Sequence, residues 1–301
     1  MKTKFSHLIM TGGGLSGLVY IGIYRFFKEH EVLKDIHYMA GTSIGAFFIF
    51  LFGLNIDYDK IENMCMGSEG LCHKSSLVEF NPCNLLNIRT NRGLYKTERF
   101  KPYLVDFLKE KYDIEDISFS EYIKLTGVDI HISATCLNTH SHLDLCNDTF
   151  PDMSVLTAIL ASMSVPVLFE PVIYNDLMLV DGGCSDNLDI YNVVKNKLNR
   201  ALYISLEPDS TFTNEQLQNN LMLYGLSIML SLIKSSHTTK IIDDFKNQID
   251  IIKINNIPIQ FLQGVFENNM FYTVIEKKIL EECIIFGYKK MYSFFELKRY
   301  L

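Results

Sequence analysis

Apolar residues recur along the chain in two rhythms. Ser6 to Met10 is a short apolar run that stops at Gly12-Gly13-Gly14, and beyond it Leu15, Leu18, Val19, Ile23 and Phe26 recur at helical spacing. This pattern predicts a strand, a glycine loop and a helix. Tyr38 to Ala40 predicts a second short strand, followed by a tight turn at Gly41 to Gly45 and a helix from Ala46 to Leu54 that is apolar on every side. A helix without a polar face belongs in a domain interior, so the turn that leads into it is pressed against the core as well.

Further on, Phe100, Leu104, Phe107 and Leu108 predict an amphipathic helix. Val128 to Cys136 and His142 to Cys146 predict strands about a turn at Asn138-Thr139-His140. A helix from about Met153 to Met163 follows, then a hairpin at Asn175-Asp176 whose second strand, Leu177 to Val180, runs into Asp181, and a last strand at Ala201 to Leu206. Alternating strands and helices predict an α/β body with a mostly parallel or mixed sheet covered on both faces, spanning residues 1–206. After Pro208 the spacing turns helical, through Leu217, Leu221, Ile228 and Leu232 and again through Ile275, Ile279, Cys283 and Phe286, so residues 207–301 are expected to form a helical cap on the same body. Asn63 to Arg92 has no clear period and reads as an irregular insertion or flap.

Composition narrows the possible functions. The chain has 301 residues, 48% of them apolar, enough for a sizeable core, and its formal charge of −7 supplies no basic field for nucleic acid. A spanning helix needs about 20 apolar residues, roughly twice the run from Ile44 to Leu54. Lys2 and Lys4 precede apolar residues, but three glycines interrupt the run and no small-residue cleavage site follows, so neither a transmembrane segment nor a signal peptide is expected. Seven cysteines form an odd set without close pairs, as expected of reduced thiols in a cytoplasmic setting. Lys277, Lys278, Lys289, Lys290, Lys298 and Arg299 are interleaved with glutamates, the pattern of a solvated helix face, with transient contact at a membrane surface as the minority reading.

Three short motifs carry chemistry. Gly41-Thr42-Ser43-Ile44-Gly45 has the Gly-x-Ser-x-Gly form of a nucleophile elbow between a strand and a helix; its bland alternative is a capping serine. Gly12, Gly13 and Gly14 open the first helix, where free backbone N–H groups favour an anion. Gly12, Gly14 and Gly17 also fit a dinucleotide loop, but that reading wants an acidic residue after the second strand, where this chain has Gly41-Thr42-Ser43, so an oxyanion hole is preferred. A side chain at Gly13 is expected to obstruct the oxyanion. Asp181-Gly182-Gly183 closes a strand and offers Ser43 a base, although an isolated Asp-Gly is most often only a turn.

Together, in this order, these motifs resemble the patatin-like phospholipase family over about Ser6 to Leu206. The resemblance implies a three-layer α/β/α sandwich and a lipid acyl hydrolase without metal or cofactor. It implies Ser43 as nucleophile, Asp181 as its partner in a dyad, Gly12, Gly13 and Gly14 as the oxyanion hole, and a phospholipid or other acyl lipid as substrate. Gly93-Leu94-Tyr95 and Ala161-Ser162-Met163-Ser164-Val165-Pro166, with Phe169 and Pro171, are similar to further stretches of the family pattern. The chain departs from it at Ser16, where Arg or Lys is common, and at Leu188-Asp189, which stands near the place of a usual proline.

Histidine is not required. A Ser-Asp-His chain order would need His237, which sits among small polar residues, and His140, His142 and Cys146 straddle a turn without a fourth metal ligand. The alternative from another class is a lipid-binding scaffold that keeps the fold without catalysis.

Overall fold

Strands form where buried residues alternate between two covered faces. The computed structural model describes residues 5–66, 89–185, 201–207, 249–258 and 277–301, with the isolated positions 218, 224 and 227. Its main sheet contains β1 (His7–Met10), β2 (Tyr38–Thr42), β4 (Asp129–Cys136), β5 (Ser141–Leu145), β7 (Val172–Tyr174), β8 (Leu177–Asp181), β9 (Ala201–Leu206) and β10 (Asp250–Ile254). The order is β10-β9-β1-β2-β4-β8-β7, with β5 also paired to β4. The strands from β10 to β4 run parallel, β8 is antiparallel to β4, and β7 is antiparallel to β8. A separate parallel pair joins β3 (Gly93–Tyr95) to β6 (Val167–Phe169).

Register explains the two faces. Leu8 pairs with Met39 and Leu202, and Met39 with Ile130, so these side chains share one face, together with Met10, Ile132, Ala134, Leu179 and Ile204, all in the main apolar cluster. On it pack α1 (Val19–Glu29), α2 (Ile44–Gly53) and α6 (Val155–Ser162). Outside them, α3 (Tyr58–Met66) lies against α1, and α4 (Lys101–Tyr112) is the amphipathic helix read from Leu104, Phe107 and Leu108, all three buried. The opposite face of the sheet is buried too, but it carries Tyr38, His131, Ser133, Thr135, Tyr203 and Ser205. Within α2 every residue from Gly45 to Phe52 is buried, as a helix apolar on all sides requires. Tyr24 stacks on Phe52 at 4.3 Å, and the Tyr122 hydroxyl of α5 (Phe119–Thr126) donates to the Phe50 carbonyl at 2.9 Å.

Some elements differ from the sequence expectation. The glycine loop leads first into a 3-10 turn (Gly14–Leu18), and only then into α1. The segment after residue 206 supplies β10 as well as α7 (Lys277–Leu297). The Leu217 to Leu232 pattern and most of the Asn63 to Arg92 insertion lie outside the described residues.

Two features hold α7. Its C-terminal end is clasped to β10, since Asp250 accepts from Lys298 at 2.8 Å and from the Tyr300 hydroxyl at 3.0 Å. Its middle crosses α1 at two reciprocal glycines: a Cβ on Gly22 would lie 1.8 Å from the Ile284 carbonyl oxygen, and one on Gly287 2.1 Å from that of Val19. Lys277 and Lys278 meet Glu281 and Glu282 at 3.9 and 4.0 Å, as on a solvated face. Backbone cannot yield to a methyl group as a side-chain end can, so Gly22→Ala and Gly287→Ala must each push the helices apart. Each is expected to lower unfolding free energy by about 1–3 kcal/mol in a urea titration, the range of overpacked cores; unchanged midpoints would contradict this crossing.

Candidate active site

One edge of β4 builds the site. β5 occupies the other edge, with Ser133 opposite Asp144 and Thr135 opposite His142, so β2 and β8 must share the remaining one. β2 pairs along it up to Thr42 opposite Ser133, and β8 takes over at the next residue, Ala134 opposite Asp181. Where one strand leaves and the other enters, Ser43 and Asp181 meet, and the Ser43 hydroxyl lies close enough to the Asp181 carboxylate to lower its pKa.

Ser43 has φ 53 and ψ −122, a left-handed backbone that a side chain adopts only under constraint. The constraint is packing around the turn. A Cβ on Gly41 would lie 2.7 Å from the Ala46 nitrogen, and one on Gly45 2.3 Å from the Met10 carbonyl oxygen. Both glycines are therefore needed to fold the elbow tightly against β1. Ser43 itself is buried, 7% exposed, with α2 running directly away from it.

The glycine loop lies alongside. Gly45 abuts Met10 and Thr11, the residues just before Gly12, while Ile44 packs where a Gly17 side chain would be. The residues on both sides of Gly12 to Gly14 thus pack against the elbow, and Gly14 takes φ 54. A Cβ at Gly13, however, would lie 2.8 Å from Leu206 Cδ1 of β9. An alanine there would press on the Leu206 side chain. Ser16 is fully buried in the 3-10 turn, and Leu188-Asp189 lies outside the described residues.

Asp181 is anchored at every polar atom of its backbone. Its N–H donates to the Ser164 carbonyl at 3.0 Å, and its own carbonyl accepts from the Thr135 hydroxyl at 2.9 Å. Oδ1 accepts from the Gly183 N–H at 2.7 Å. Burial pushes the carboxyl up to about 6 from the usual carboxylate range, against the hydrogen bonds from Ser43 and Gly183. The neighbouring Cys184 thiol is pushed up to about 12 by burial and then by Asp181, which keeps it protonated. Among the described residues the carboxylate's partners are Ser43 and Gly183, with no imidazole; His237 lies outside them.

A serine on a strained strand-to-helix turn, set beside a buried carboxylate where two strands of a mixed sheet share one edge, defines an α/β protein with a serine–aspartate pair at the centre of its sheet. Residues 8–194 match the patatin-like phospholipase family, and the chain belongs to that family. It is 26% identical over 205 residues to the probable lipid hydrolase 463L of Invertebrate iridescent virus 6, covering 66% of this chain and 68% of that protein. It is 28% identical over 188 residues to the lysophospholipase NTE1 of Kluyveromyces lactis, covering 61% of this chain but only 11% of that much longer protein. Among solved structures, VipD from Legionella pneumophila superposes with a TM-score of 0.54 at 13% identity, over 97% of this chain and 67% of that one. ExoU from Pseudomonas aeruginosa, in complex with SpcU, reaches 0.50 at 12% identity, over 97% of this chain and 53% of that one. At such identities the likeness is one of fold.

Sequence reasoning left the residues that hold the pair in place without a role. The Ser43 N–H donates to Ser162 Oγ at 2.8 Å, and Ser162 Oγ donates to the Ser133 carbonyl at 2.6 Å. Ser164 holds Asp181 through its carbonyl, while its hydroxyl meets Thr97 at 2.9 Å and donates to the Leu160 carbonyl at 2.8 Å. The available signal is two serines, fully buried here, at and just after the end of a mostly apolar helix. Ser162→Ala strands the buried Ser43 N–H, which costs about 1–3 kcal/mol for such a group. Denaturant unfolding of this variant should show a loss of that size, whereas Ser162→Thr, which keeps the hydroxyl, should recover part of it. Equal loss in both variants would show that volume matters here and the hydroxyl bridge does not.

Proposed function

We propose that this protein is a lipid acyl hydrolase of the serine carboxylic ester type, acting through Ser43 and Asp181 on a phospholipid or other acyl lipid. The observation that carries the reading is the placement of Ser43, on a strained elbow, against the buried Asp181 carboxyl whose pKa it lowers, in a chain of the patatin-like phospholipase family.

In the proposed sequence Ser43 Oγ attacks the ester carbonyl and its proton passes to Asp181. The oxyanion sits against the Gly12 to Gly14 loop. Asp181 then gives the proton to the departing alkoxide, leaving an acyl-serine. Water enters, loses a proton to Asp181 and attacks the acyl carbon; the proton returns to Ser43 Oγ as the fatty acid leaves. No step calls on a metal or a cofactor. Desolvation is what makes a carboxylate serve as the base, since a carboxyl near 6 accepts a proton far more readily than one near 4.

Among the described residues no helix is long and apolar enough to cross a membrane, so lipid is reached by peripheral, transient contact in this reading. The thiols of Cys136, Cys146 and Cys184 support a cytoplasm-like compartment. A fluorophosphonate probe tests the enzyme reading directly. Wild type and His237→Ala should label and release fatty acid from mixed phospholipid vesicles, whereas Ser43→Ala and Asp181→Asn should each lose hydrolysis, with the double variant no worse than either alone. A folded wild type that neither labels nor hydrolyses would leave the lipid-binding scaffold in its place.

A pH dependence follows with a definite sign. Only ionised Asp181 accepts a proton, so kcat/KM should fall about tenfold per pH unit below about 6 and level off above it. Stability runs the other way. The folded state binds the Asp181 proton more tightly than the unfolded state, so this group's contribution declines as pH rises from about 3.8 to about 6, by about 3 kcal/mol in all. Asp181→Asn is therefore expected to melt at or above the wild-type temperature at neutral pH while being inactive; a variant that melts well below wild type would contradict the desolvated carboxylate.

A further inference from the structure

On the polar face of the sheet, the β4–β5 hairpin sets Asp129-x-His131 on one strand against Asp144-x-Cys146 on and just beyond the other. Ile132 pairs with Leu145 and Ser133 with Asp144, so Cys146 falls across from His131, and Asp144 lies diagonally next to it. We propose that His131, Asp144 and Cys146 bind one zinc-class divalent transition-metal ion.

The donor atoms of these three residues lie within 4.8 Å of one another, and His131 and Cys146 are buried. Imidazole nitrogen, carboxylate oxygen and thiolate sulfur form a mixed donor set suited to a borderline ion such as zinc, and unlike the all-oxygen sets of calcium or magnesium. His131 Nδ1 is 2.8 Å from Asp144 Oδ2. Ligands about 2.0 Å from a tetrahedral zinc stand roughly 3.3 Å apart, so the pair need open by only about half an ångström to admit the ion. The opposite ring nitrogen, Nε2, is 3.4 Å from Asp129 Oδ2. Metal-binding histidines commonly have such a carboxylate on the far nitrogen, where it fixes the ring's orientation and tautomer. Tyr38 packs against the ring at 4.5 Å, and Thr149 Oγ1 contacts the Cys146 sulfur at 3.4 Å.

The sequence grouped Cys146 with His140 and His142 at the turn and set a metal aside. The structure parts Cys146 from His140, which is exposed, and sets it opposite His131, while His142 lies further along the same face, beside Ser133 at 3.4 Å. Binding is a plain exchange, in which the ion displaces the proton between His131 and Asp144 and the thiol proton of Cys146, and water takes the position that three protein ligands leave open. No redox step is involved. The ion would cross-link β4, the strand from which both Ser43 and Asp181 are positioned, to β5.

The test uses the full chain, stripped with a chelator and titrated with cobalt(II) under anaerobic conditions. Expected are a near-ultraviolet thiolate-to-cobalt charge-transfer band and visible bands of a four-coordinate ion, saturating at one ion per chain and abolished by added zinc. Cys146→Ser should lose the near-ultraviolet band, and Asp144→Asn should weaken binding at least tenfold. Absence of the band in wild type, or its persistence in Cys146→Ser, overturns the proposal. Should the variants fail to fold, X-ray absorption at the zinc edge of the loaded wild type decides: one sulfur at about 2.3 Å with nitrogen and oxygen at about 2.0 Å supports the site, and either no sulfur or several overturns it.

Discussion

Everything about the site depends on β4 having one edge for two strands. A strand edge offers each backbone group one partner, so β8 can pair only where β2 has stopped. β2 stops because its chain turns sharply at Ser43, and that turn is possible because Gly41 and Gly45 admit the backbone of α2 and β1 at distances no side chain would tolerate. The sharp turn and the approach of Asp181 are therefore a single event. A gentler turn at Ser43 would extend β2 along β4 and exclude Asp181 from its place.

The same junction concentrates cost. Ser43 stands at φ 53, and Asp181 is a buried carboxylate without a cation among its described partners. Neither would survive selection for stability alone. Hydrogen bonds that run through the backbone hold them: Ser162 ties the Ser43 N–H to β4, and Ser164 and Thr135 grip Asp181 on both sides of its peptide units. Both serines belong to one short stretch at and just after the end of α6, so a single segment fixes the separation of Ser43 and Asp181.

Legibility in the sequence tracks how local each feature is. The elbow, the glycine loop and the Asp-Gly-Gly turn are contiguous and carry their own backbone logic, so the residues alone reveal them. Strand positions follow from apolar runs, yet Tyr38 to Ala40 extends in fact to Thr42, because glycine and threonine there gain ladder partners in β1 and β4 that no local propensity announces. Asp250–Ile254, three isoleucines in five residues, carries a β-branched signal that the helical expectation for residues 207–301 passes over, and it adds to β9 at the sheet edge. Ser162 acts on Ser43 across 119 positions of chain and on Ser133 across 29, distances over which a single sequence holds no signal. The misplaced Cys146 has the same origin: cross-strand neighbours depend on register, and one residue of slip changes the face.

On the proposed dyad one carboxylate must do what a histidine and an aspartate share elsewhere: accept a proton from Ser43, deliver it to the leaving group and repeat the exchange with water. A base that must also release its proton works best with a pKa near the working pH, and a solvated aspartate near 4 holds a proton too weakly for the first step. Burial corrects this in the needed direction, while the bonds from Ser43 and the Gly183 N–H act against it and keep the group ionisable. The value of about 6 is the balance of those two effects. Full burial without donors would leave a carboxylic acid unable to accept a proton at neutral pH, and a second strong donor would return it to an ordinary carboxylate. The Gly183 N–H supplies one fixed donor from the turn immediately after the strand, so the local Asp-Gly-Gly sequence tunes the base as well as positioning it.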